Sequence, residues 1–167
     1  MAPKQAAIIS DCGTYRYALS RPREGESAWY PAAVFLMLNP STADADNDDP
    51  TIRRCRRFAK DWSCEGLIVG NLFALRSTDP DQLLTHADPI GPDNDSWLRR
   101  MTARSVTVVC AWGAHPMAVE RGVQVARMLT DVGVSLFCLG TTKSGAPRHP
   151  LYVRADQKLI KWEIPNG

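Results

Sequence analysis

Four apolar runs constrain this chain more than any other feature. They cover residues 32–38 (AAVFLML), 67–70 (LIVG), 106–112 (VTVVCAW) and 134–139 (VSLFCL), and they close on Asn39, Asn71, Gly113 and Gly140. Runs this short and apolar on both faces suit strands covered on both sides, as in the middle of a parallel sheet. Helical patterns lie between them. Asp49-Pro50 is a helix start, with a capping carboxylate and a proline in the first turn. Ile52, Cys55, Phe58, Ala59 and Trp62 then recur at helical spacing. Asn94 or Asp95 caps a second helix carrying Trp97, Leu98 and Met101. His115-Pro116 opens a third, with Val119, Val123, Ala126 and Leu129 as its apolar stripe. Alternating strand and helix predicts a three-layer α/β/α fold with a mostly parallel central sheet of about four strands.

Ahead of the first long run, residues 6–10 are apolar and Asp11-Cys12-Gly13 reads as a turn. Thr14 to Leu19 then alternates as a half-buried strand does, so an N-terminal β-hairpin is expected at one sheet edge. The polar stretch from Arg21 to Ser27 reads as loop. No repeat or low-complexity linker divides the 167 residues, and residues 1–167 are read as one domain.

Composition narrows the function classes. Twenty Lys and Arg face eighteen Asp and Glu, a net charge of +2. That is too small to argue for nucleic-acid binding, so only a local cluster can carry such an argument. The five cysteines include no C-x-x-C pair, so no zinc or thioredoxin-type motif is expected. Cys110 and Cys138 sit in apolar runs and read as core residues in a reducing, cytoplasmic setting. The start, Met1-Ala2-Pro3-Lys4-Gln5, does not read as a signal peptide. No run approaches the roughly 20 apolar residues of a membrane span.

In open α/β sheets ligands bind beyond the carboxyl ends of the strands, so the loops there are the place to look. Leu38-Asn39-Pro40-Ser41-Thr42-Ala43-Asp44 offers an amide, two hydroxyls and a carboxylate, although all are also turn residues. Asp44, Asp46, Asp48 and Asp49 open like a calcium loop. Position six is Asp49 rather than Gly, however, and position twelve is Cys55 rather than Glu, so no metal is expected. Arg53, Arg54, Arg56, Arg57 and Lys60 form the one dense basic cluster, fit for phosphates or simply a solvated helix face. Asn71 offers both a donor and an acceptor, which matches the edge of a nucleobase. The 140–152 loop mixes Lys143, Arg148, His149 and Tyr152. It lacks P-loop spacing, and His149 is its candidate acid or anion donor. His115 reads as a cap or packing residue, and His86 is assigned nothing.

The order of these loops resembles the uracil-DNA glycosylase superfamily. Leu38-Asn39-Pro40-Ser41 is similar to the G-[IL]-N-P-G motif of its mismatch-specific branch. Asn71 after the second strand looks like the asparagine that reads a flipped base, and His149-Pro150 matches the start of a His-Pro-Ser motif. Met37, Ser41 and Leu151 replace a Gly, a Gly and the Ser of those motifs, which sets the chain apart from ordinary uracil excision. The iron–sulfur cysteine pattern of some branches is also missing.

The whole chain resembles more closely the bacterial and phage domain-of-unknown-function family 1643. The motifs that carry this are Cys12-Gly13-Thr14-Tyr15-Arg16-Tyr17, Leu38-Asn39-Pro40-Ser41-Thr42-Ala43-Asp44, Asp49-Pro50-Thr51-Ile52-Arg53-Arg54, Asn71-Leu72-Phe73-Ala74-Leu75-Arg76, and the stretch from Lys143 to Tyr152.

These resemblances imply a hydrolase of N-glycosidic bonds acting on a damaged or modified base in nucleic acid. Asn39 and His149 are then the catalytic residues, with Asn39 orienting a water. Asn71, Phe73, Ser41, Asp44 and Tyr152 bind the substrate, Phe73 or Tyr152 as stacking walls. Arg53, Arg57, Lys143 and Arg148 meet phosphates. No cofactor is expected, and the partner is DNA or a nucleotide. The alternative is a binding module or enzyme for a free nucleotide or modified nucleoside.

Overall fold

The computed structural model describes residues 6–22, 32–41, 43–64 and 66–166. The segment 1–5, and residues 23–27 of the expected polar loop, lie outside them. The elements in chain order are β1 (Ala6–Ile9), β2 (Arg16–Pro22), β3 (Ala32–Met37), α1 (Pro50–Asp61), β4 (Gly66–Asn71), α2 (Asn94–Thr102), β5 (Thr107–Cys110), α3 (Ala118–Thr130), β6 (Leu136–Cys138) and β7 (Ile160–Lys161).

They form one seven-stranded sheet in the order β1-β2-β4-β3-β5-β6-β7. The four expected runs make its centre, where β4–β3, β3–β5 and β5–β6 are all parallel pairs. The sheet is nevertheless larger than four strands. The hairpin does not stand apart, because β2 pairs antiparallel with β4 and carries β1 outside it. At the other edge the short β7 adds antiparallel to β6.

Alternation along the central strands sorts side chains into two cores. Ala33, Phe35, Met37, Leu67, Val69 and Val109 pack with Ile52, Cys55, Phe58 and Ala59 of α1. Ala32, Val34, Leu36, Ile68, Val108 and Cys110 pack with Leu98 and Met101 of α2 and with Val125, Ala126 and Leu129 of α3. The period of two in a strand puts neighbours on opposite faces, so α1 covers one face and α2 and α3 the other. The chain steps one way from β3 to β4 and the other way from β4 to β5. Crossovers of one hand then place α1 and α2 on opposite faces.

Three local expectations are corrected. Arg21 and Pro22 belong to β2 rather than to a loop. Strand β2 is buried on both faces, with Tyr17 and Ala18 in one core and Leu19 in the other, and its alternation is broken. Ile8 pairs with Ala18 and Ile9 with Arg16, so Tyr17 is an extra residue. Such a bulge re-aims side chains: Tyr17 and Ala18 both join the α2–α3 core. Helix α3 starts at Ala118, not at His115, and its buried face carries Ala118, Arg121, Gly122, Val125, Ala126 and Leu129. Val119 is 71% exposed. Gly122 moves the stripe, because a Cβ there would lie 2.9 Å from the Trp112 ring. The smallest residue turns inward so that an indole can lie against the helix.

Candidate functional site

The four parallel strands finish in one row. Met37 pairs with Asn71, Leu36 with Cys110, and Cys110 with Cys138. The chain direction across the sheet reverses around β3, which makes the end of β3 a topological switch point. A cavity of about 220 Å³ opens there, and its polar wall includes Arg16, Asn39, Ser41, Asp49, Asn71 and His149, with Trp112 beside them. A wider hollow of about 420 Å³ lies at the opposite, amino-terminal end of β4 against Arg21, Arg56 and Arg57. Arg21 and Arg56 are already paired with Asp48 and Arg57 with Asp61, while Lys60 in the same lining is exposed. The buried polar atoms without a hydrogen-bond partner include two in the wall of the smaller cavity and none in the larger one. The smaller cavity is therefore the candidate site.

Each wall residue has a local reason for its position. Asn39 leaves β3 and its Nδ2 donates to the carbonyls of Pro40 at 3.1 Å, Leu75 at 3.4 Å and Ser77 at 3.0 Å. It ties the loop after β3 to the loop after β4. Asp49 caps α1: its Oδ1 accepts from the Ile52 N–H at 2.8 Å and its Oδ2 from the Ser41 hydroxyl at 2.9 Å. Asn71 ends β4, and the carbonyls of Asn71 and Leu72 accept from Asn94 Nδ2. Asn94 or Asp95 was expected as the helix cap, and Asn94 is not one. It is instead a buried clamp on the end of β4, and α2 starts after Asp93 without a side-chain cap bond. Asn71 is 2% exposed and lines the cavity, and its Nδ2 has no partner among the described residues.

His149 caps the 3-10 turn Pro150–Tyr152. Its Nδ1 accepts from the Leu151 N–H at 3.2 Å. A neutral ring in that bond carries its proton on Nε2. Burial pulls the His149 pKa below its usual 6.5 against the opposing charge of Asp49, so the ring is neutral near pH 7. Arg54 of α1 donates to the carbonyls of Pro150 and Val153, which anchors this turn to the helix. Arg16, re-aimed by the bulge, is 3% exposed and donates from Nη1 to the Ala43 carbonyl. Its Nε has no partner.

The structure thus brings together Asn39, Ser41, Asn71 and His149 of the expected site. It places the others elsewhere. Phe73 lies in the α2–α3 core and does not reach the wall. The Asp44 carboxylate accepts from the Asp46 and Asn47 N–H groups within its own loop. Tyr152 is 79% exposed and sets its ring 5.6 Å from that of His149, outside the cavity. Arg53 and Arg57 are exposed on α1; Arg53 donates to the Asp48 carbonyl and Arg57 to Asp61. Lys143 is exposed, and Arg148 donates to the Thr141 carbonyl.

The wall gains Arg16, Asp49 and Trp112. The signals were present: an arginine inside an apolar strand, and a cap that follows the Asn39 loop. Neither points to a cavity until the topology is known. No group of three His, Cys, Asp or Glu among the described residues is placed to hold a metal, and no helix among them is long and apolar enough to cross a membrane.

A seven-stranded sheet with helices on both faces and a polar cavity at its switch point defines the chain as an α/β protein. Within that class, the chain belongs to the family described as protein of unknown function (DUF1643), which matches residues 16–151. The match runs from Arg16 past His149 and so contains the whole cavity wall. No curated protein and no solved structure matches the chain.

Proposed function

We propose that the chain hydrolyses the N-glycosidic bond of a damaged or modified nucleobase in nucleic acid, with the base held in the cavity at the end of β3. The observation that carries this is the unpartnered Asn71 Nδ2 in the same small wall as a neutral His149. Both groups donate, and the carbonyl edge of a base accepts. A cavity of about 220 Å³ is below the roughly 300 Å³ at which drug-sized pockets begin, so it suits one ring system.

In this reading Asn71 holds a base carbonyl, and His149 Nε2–H stabilises the negative charge that the base gains. The bond from the sugar carbon to the base nitrogen breaks with its electron pair leaving on the base. A water oxygen forms the new bond to that carbon, and the water's proton passes to Asp49. Both Asp49 oxygens accept one bond each, which leaves each a lone pair. Asn39 was expected to orient this water. With its amide nitrogen shared among three carbonyls it is better read as a positioning residue. The likeness to uracil-DNA glycosylases in motif order supports the same chemistry.

The test is a panel of single- and double-stranded oligonucleotides carrying uracil, hypoxanthine, xanthine or mismatches at low salt. One modified base should be released by the wild type, and His149→Ala should slow release by about 10²–10³-fold. Release from no member, or release unchanged by the substitution, contradicts the proposal.

One observation favours the second reading, a free nucleotide or modified nucleoside as ligand. The basic face of α1 is largely engaged within the molecule, with Arg54 on carbonyls and Arg56 and Arg57 on carboxylates. That leaves Arg53, Arg57 and Lys60 at the surface, fewer than the five cations of the helix, to track a phosphate backbone. A salt-independent affinity for mononucleosides, with no affinity for oligonucleotides, selects this reading.

A further inference from the structure

Two buried arginines lie on β2, and they differ in a way that bears on the ligand. Arg21 is fully provided for. Its Nε pairs with Asp48 at 2.7 Å, and its other nitrogens donate to the carbonyls of Ser20, Asp44 and Asn47. Arg16 is 3% exposed and has no carboxylate within 4 Å among the described residues. Among the described residues its side chain donates to the Ala43 carbonyl alone, and its Nε–H is idle. Asp49 and Asp44 favour its charge from a distance without bonding it, and a guanidinium out of water with no anion in contact is costly and seldom kept without use. Burial lowers the Arg16 pKa only to about 10, so it stays charged at neutral pH. The neighbouring wall holds a second idle buried donor, Asn71 Nδ2. Asp49 is the one carboxylate lining the cavity among the described residues, and its two oxygens already accept from Ile52 and Ser41.

We infer that this cavity is an anion site, in which Arg16 supplies the charge and Arg16 Nε–H and Asn71 Nδ2–H supply donors to a ligand that carries or develops negative charge. The charge assignment needs only the cavity. That the anion is a deprotonated base, as it would be on leaving a sugar, rests on the reading proposed above. In that setting Arg16 stabilises the departing base beside His149, a role no motif in the chain announces.

The test is calorimetric binding to the full chain at low salt with three probes. Barbiturate is an anionic pyrimidine ring, uracil a neutral one, and inorganic phosphate an anion without a ring. Barbiturate should bind at least about tenfold more tightly than uracil, the equivalent of about 1.4 kcal/mol. That advantage should vanish in Arg16→Gln and be kept in part by Arg16→Lys. If Arg16→Gln does not fold, Asn71→Asp serves: it swaps the idle donor for a carboxylate and should abolish the advantage. Phosphate bound as tightly as barbiturate, and lost in the same variants, supports the anion site and overturns the nucleobase reading. Uracil bound as tightly as barbiturate with no phosphate bound, neither anion bound at all, or an advantage that survives Arg16→Gln overturns the anion site.

Discussion

At His149, one hydrogen bond and one burial effect set both the tautomer and the charge. The Leu151 N–H occupies Nδ1, and desolvation holds the pKa below 6.5. The consequence for stability has a definite sign. Between the lowered native pKa and 6.5 the unfolded chain binds a proton that the native chain does not, so stability rises with pH across that window and is lost as pH falls through it. Urea unfolding of the wild type from pH 5 to 7.5 should show this slope, and His149→Gln should flatten it. A slope of the same size in the variant assigns the effect to another group. This residue was legible in the sequence as a candidate, and so was Asn71. Arg16 was not. A single arginine in an alternating strand reads as an outward face, and only the bulge at Tyr17 turns it inward. Phe73 shows the opposite error: an aromatic beside a site asparagine reads as a stacking wall, yet its side chain packs in the core.

Helix α1 couples folding to the site through its first residues. Asp49 is both its N-cap and part of the cavity wall, so two substitutions separate the roles. Asparagine caps a helix about as well as aspartate, whereas alanine costs about 0.5–2 kcal/mol. Asp49→Asn should therefore unfold near the wild-type midpoint yet lose base release. Asp49→Ala should lose both stability and release. Thermal melts beside the release assay check this, and full activity in Asp49→Asn removes Asp49 from the chemistry. The helix itself was readable because Asp-Pro followed by apolar residues at helical spacing is an unambiguous local signal. Helix α3, on the other face of the sheet, was misphased because apolar identity alone cannot say which valines face in. The Trp112 ring requires Gly122 on the buried face and leaves Val119 outside.

Across the whole molecule, the four-strand parallel centre was legible and the seven-strand sheet was not. Buried runs announce themselves by composition. β7 is a two-residue edge strand with both residues exposed, and it has no pattern to read. That the Asn39 loop, Asn71 and the His149 turn meet in one cavity follows from strand order, a non-local property that spacing does not encode. The same order brings the start of β2 alongside the end of β4, because the two run antiparallel with Leu19 opposite Val69. This is how Arg16 enters the wall. The site is thus assembled by topology from residues as far apart in sequence as Arg16 and His149. The engaged cations of α1 predict that binding strength resides in the cavity rather than along an outer basic surface.

The most direct test of the proposal that the cavity takes a nucleobase is calorimetric binding of free nucleobases to the wild type and to Asn71→Leu. Leucine is close in size and removes an amide whose nitrogen is buried without a partner, so the fold should survive the change. At least one base should bind the wild type, Asn71→Leu should weaken it by about tenfold or more, and Val132→Ser on the exposed surface should leave it unchanged. Absence of binding by every base, or binding that Asn71→Leu leaves intact, contradicts a nucleobase site at the end of β3.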